Sequence, residues 1–94
     1  MTLDRIRQDI DAIDAEILSL LDRRFRLALR TRAFKALERD PSREREIFGR
    51  LRAVAAEYPL LREEFIFSLY REILKESRRL QARSGRGKNQ EQRT

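Results

Sequence analysis

At 94 residues the chain suits one domain with a modest core, and its 22 lysines and arginines against 16 carboxylates give a formal net charge of +6. It has no cysteine and no histidine, which removes a disulfide frame, thiol chemistry, and the commonest general base and metal ligand. No apolar run approaches the roughly 20 residues of a membrane span and no signal-peptide pattern opens the sequence, so a soluble cytoplasmic protein without cofactor or metal is expected.

Charged residues of both signs are interleaved and make up 40% of the chain, with only three glycines and two prolines. That composition reads as all-α, with exposed helix faces carrying i,i+4 pairs. Apolar residues step Leu3, Ile6, Ile10, Ile13, Ile17, Leu20 and then Leu27, the alternating threes and fours of a packed helix seam. Thr2 is a candidate N-cap, with Asp4 in the first turn. Nothing interrupts the pattern before Arg39, so the first helix is predicted over Leu3 to Glu38, on the order of 50 Å long.

Asp40-Pro41 is the one strong stop, because the residue before a proline avoids the helical region while proline suits a first helical turn. Asp40 or Ser42 would cap a second helix running to about Tyr58, with Ile47, Leu51 and Val54 inward and Pro59 closing it. A third helix is predicted from Leu61 to Ala82, with Ile66, Tyr70, Ile73 and Leu80 on one stripe. Residues 83–94, "RSGRGKNQEQRT", have no apolar period and read as a disordered basic tail behind a domain of residues 1–82. One long and two short helices leave seam uncovered in a monomer, so an intertwined helical homodimer is expected.

Each helix also carries polar residues where its seam should be dry. The step after Leu20 lands on Arg24, and Lys35, eleven residues on, shares that face to within about 20°. Glu44 sits one turn before Ile47, beside Arg43; Ser77 follows Ile73, and Gln81 follows Ser77. Mutual pairing, for instance Arg24 with Glu44, would explain one such residue. Burying unpartnered charge costs several kcal/mol, so the whole set points to a pocket for a charged ligand. Arg7 lies about 25 Å from Arg24 along the helix, too far for one pocket in its own chain but within reach of a partner's in an antiparallel dimer.

The stretch "IRQDIDAIDAEILSLLDRR", Lys35 eleven residues after Arg24, "DPSRE" and "SRRLQ" together resemble the all-helical, type II class of chorismate mutases, over about Leu3 to Gln81. The resemblance implies a three-helix chain entwined into a dimer with two composite active sites. It implies that Arg24, and Arg7 from the partner chain, bind the two carboxylates of chorismate. Lys35 would reach the ether oxygen and a carboxylate, and Gln81 would donate to the same ether oxygen. Asp40 and Glu44 would hold the ring hydroxyl, with Arg43 and Ser77 completing the wall. The chain departs from the family between Lys35 and Asp40, where its four residues fall short of the usual loop by about one helical turn.

The implied activity is the isomerisation of chorismate to prephenate in aromatic amino-acid (Phe/Tyr) biosynthesis. It is an intramolecular Claisen rearrangement that needs no nucleophile, proton relay, metal or cofactor, so the absence of histidine and cysteine loses nothing. An isochorismate-pyruvate lyase or an aminodeoxychorismate mutase on the same fold is the nearest alternative; such lyases lack the Arg-Glu pair found here at Arg43 and Glu44. A non-catalytic helical dimer, regulatory or nucleic-acid-binding, is the other. Basic residues spread over three helices without interleaved aromatics argue against nucleic acid.

Overall fold

The computed structural model describes the backbone of residues 1–34 and 40–93, and side chains as far as Arg83. Among the described residues it is all-helical: α1 (Leu3–Thr31), a 3-10 turn (Arg32–Phe34), α2 (Pro41–Ala55) and α3 (Glu63–Arg93).

α1 starts where its sequence says it should. Thr2 is extended and its Oγ1 accepts the Arg5 amide at 3.1 Å, with Asp4 in the first turn. Its α-helical part ends earlier than the predicted Glu38. After Thr31 the Arg32 N–H bonds the Leu29 carbonyl, and the chain tightens into the 3-10 turn. The reason lies in the stripe, which stops at Leu27. Phe34 beyond it is 90% exposed, so no burial holds further α-turns. The rest of the predicted helix, residues 35–39, lies outside the described residues.

Asp40 is the N-cap of α2. Its Oδ1 accepts the Arg43 amide at 3.1 Å, Pro41 occupies the first turn, and Glu44 faces the positive helix end. The helix ends at Ala55 rather than near Tyr58, because Pro59 keeps Tyr58 from helical geometry. The amides of Glu57 and Tyr58 then bond back three residues, to Val54 and Ala55. The inward line of α2 runs in fours through Ile47, Leu51 and Ala55, which turns Val54 outward, against prediction. α3 begins at Glu63 and its helical backbone continues past the predicted Ala82 to Arg93; no proline in that stretch forbids it.

Both α1 and α2 pack on α3. The core is small: Ile47 from α2, with Ile66, Ile73 and Leu74 from α3. Phe48 and Phe67 meet edge to face beside it, ring centroids 5.3 Å apart. α1 contributes no buried residue, and its whole seam from Leu3 to Leu27 is left open. The radius of gyration of 17.3 Å exceeds the roughly 12 Å of a compact chain this long. Among the described residues no helix is long and apolar enough to cross a membrane.

Candidate functional site

A cavity of about 260 Å³ opens where the end of α1 and the start of α2 meet α3. α1 contributes Arg24 and Thr31 to its wall; α2 contributes Asp40, Arg43 and Glu44; α3 contributes Ser77, Arg78 and Gln81. Leu27, Ala28, Ile47 and Leu74 supply apolar surface. Six of the eight residues singled out from the sequence therefore share one cavity: Arg24, Asp40, Arg43, Glu44, Ser77 and Gln81. Arg7 is not among its walls, being about 25 Å away along α1. Lys35 lies outside the described residues.

The seam steps explain the convergence. On α3 the stripe that buries Ile66 and Ile73 continues into Ser77 and Gln81, which are buried as well, at 7% and 3% exposure. Helical spacing keeps these side chains turned inward although they are polar. Buried polar atoms need partners, and α1 provides them. Gln81 Nε2 donates to the Ala28 carbonyl at 2.8 Å and, over a long 3.5 Å, to Thr31 Oγ1. Thr31 Oγ1 in turn donates to the same Ala28 carbonyl at 2.7 Å. The carbonyls of a helix's last turn lack intrahelical donors, so Gln81 caps α1 from the side. Because Ala28 offers an acceptor, the amide must present its nitrogen there, which fixes its orientation. The Gln81 main-chain carbonyl accepts from Arg32 Nη1 at 2.7 Å.

Arg24 is half-buried. Its Nη1 donates to Ser77 Oγ at 3.3 Å, and its guanidinium stands 5.9 Å from the centroid of the Tyr70 ring. Glu44, the partner suggested for Arg24 by the sequence, is instead bonded by Arg78 Nη1 at 2.5 Å through Oε1. Arg78 had not been singled out. It follows Leu74 by four residues and precedes Gln81 by three, the same stepping that marked Ser77. The described walls thus hold three guanidiniums against two carboxylates, suited to an anion of moderate size. Asp40 is committed to capping α2 through Oδ1. Away from the cavity, on the exposed face of α3, a hydrogen bond from Arg79 holds the Glu76 carboxyl below its ordinary value.

The family model of chorismate mutase type II matches residues 6–82, a span that includes every residue lining the cavity. No curated protein and no solved structure matches the chain.

Proposed function

The chain belongs to the chorismate mutase type II family, and we propose that it converts chorismate to prephenate, as a cytoplasmic homodimer serving phenylalanine and tyrosine synthesis. Residues 1–82 are the catalytic domain in this reading, and residues 83–94 lie outside it. The observation that carries it is the meeting of Arg24, Glu44, Ser77 and Gln81, from three helices, around one cavity inside the matched span.

Chorismate is a dianion with one ring hydroxyl. Arg24, Arg43 and an Arg7 from a second copy bind its carboxylates, with Ser77 holding Arg24 in place. Glu44 and Asp40 receive the ring hydroxyl. The reaction breaks a C–O ether bond while a C–C bond forms within the same molecule, so the protein has two tasks. One is to hold the enolpyruvyl arm over the ring in a near-attack conformer. The other is to place donors at the ether oxygen, where negative charge builds, each worth about 3 kcal/mol in a dry site. Gln81 Nε2 carries two hydrogens. Ala28 holds one, and the second, with only the long contact to Thr31, turns to the ether oxygen. Lys35 is the other donor.

The homodimer reading is supported by the open seam of α1. Ile6, Ile10, Ile13 and Ile17 are 40–55% exposed, and covering such side chains is worth roughly 1 kcal/mol each. A second α1 laid antiparallel covers them and delivers Arg7 to the cavity.

Incubating the protein with chorismate tests the assignment directly. Prephenate should accumulate with no pyruvate released and no added cofactor. Pyruvate as the product would move the chain to the lyase reading, and no turnover at all would leave a non-catalytic helical dimer.

A further inference from the structure

The pairing of Arg78 with Glu44 bears on which ring substituent the cavity accepts. Glu44 is 17% exposed at its side chain and Arg78 32%, and their bond joins Nη1 to Oε1. Both residues line the cavity and also the neighbouring groove over Phe48 and Phe67. The pair is therefore the partition between the two spaces, and any group that reaches Glu44 from inside the cavity arrives beside a guanidinium.

We propose that Arg78 is a specificity-determining residue that makes the cavity select a neutral hydroxyl over an amino group on the substrate ring. The inference rests on the reading that Glu44 meets that substituent. A carboxylate has about four acceptor positions, so Glu44 accepts a hydroxyl hydrogen while keeping Arg78. An amine at the same ring carbon is an ammonium near neutral pH, and it brings a full positive charge against a guanidinium that does not deprotonate. The other charged groups facing the pair do not reverse this. Among the described residues they are Arg24 from α1, Asp40, Arg43, Arg45 and Arg52 from α2, and Arg71, Glu72 and Lys75 from α3, six cations against two carboxylates. None is a histidine or cysteine, the side chains that ordinarily titrate nearest neutrality.

The test compares kcat/KM for chorismate and for its 4-amino-4-deoxy analogue from about pH 6 to 10, following loss of each substrate, in the wild type, Arg78→Gln and Arg78→Lys. The wild type should favour the hydroxyl compound about tenfold or more at pH 6. That preference should narrow as pH rises and the amine sheds its proton. In Arg78→Gln the preference at pH 6 should fall at least about tenfold. Its pH trend should also reverse, because Glu44 now pairs with the ammonium form and loses it as pH rises. Arg78→Lys keeps the charge and should keep the wild-type order and trend. A merely structural Arg78 would lower both activities together and leave ratio and trend alone, and that result overturns the assignment. Should Arg78→Gln fail to fold, the wild-type series still decides, since a preference that does not narrow with pH is incompatible with the proposal. A wild type that rearranges neither compound sinks the proposed function itself, whereas chorismate turnover with an unmoved ratio sinks only the role of Arg78.

Discussion

The two ends of α1 belong to one helix yet meet opposite surroundings. From Leu3 to Leu20 the apolar seam residues are 40–60% exposed, and none of the described residues of the chain covers them. From Arg24 to Arg32 polar and apolar side chains are mixed, and there α1 is tied to α3 through Ser77 and Gln81. Gln81, at 3% exposure, is more buried than any of the four core aliphatics. A single copy thus half-buries the end of α1 that carries Arg24 and Arg32 and leaves its apolar end exposed. The contrast teaches a division of labour. Hydrogen bonds within one chain shape the cavity, while the described residues of that chain do not supply the burial that should stabilise the long helix; in the homodimer proposed above, folding and assembly would be linked.

The largest effect should come from attacking the open end. Ile10→Glu combined with Ile17→Glu puts two carboxylates into the seam, and a buried unpaired carboxylate costs several kcal/mol. Light scattering should show loss of the dimer, and activity should vanish although the cavity residues are untouched. If the double variant assembles and works like the wild type, the two ends of α1 are not coupled through a second copy.

Next in size is a test of whether the far end of α1 serves another chain's cavity. Arg7→Ala and Lys35→Ala homodimers should each be nearly inactive. Refolded together at random, about half the dimers are mixed, and each mixed dimer has one intact site and one lacking both groups. Recovery to about a quarter of wild-type activity is expected from counting alone. A mixture that stays inactive, with mixed dimers shown to be present, would confine Arg7 to its own chain or to no role.

A subtler change sharpens the polar end. Gln81→Glu can donate to the Ala28 carbonyl only when protonated, so the folded state should raise that carboxyl's pKa above the ordinary value near 4.3. The variant should be most stable in acid. It should lose about 1–3 kcal/mol as pH rises from near 4 through the folded-state pKa, by linkage. Its activity should fall over the same range, whereas the wild type with its permanent amide donor should be nearly flat. Equal pH profiles for melting would remove Gln81 as the cap of α1, and equal profiles for turnover would remove it from the ether oxygen.

Local physics is what the sequence carried by itself. The stepping of Leu3 through Leu27, the Thr2 and Asp40 caps and the start of a second helix at Pro41 depend on neighbours a few residues away, and each appears in α1 and α2 where it was predicted. The polar residues at seam positions were legible for the same reason, since helical spacing alone turns Arg24, Ser77 and Gln81 to one side. The tertiary structure decided which polar group answers which. Fifty-three residues separate Gln81 from Ala28, and thirty-four separate Arg78 from Glu44. No periodicity spans such distances, so the choice of Arg78 rather than Arg24 for Glu44 emerged only when α2 and α3 were side by side. The end of α1 at Thr31 is of the same kind. A helix continues as long as burial or capping holds its next turn, and here the cap comes from α3.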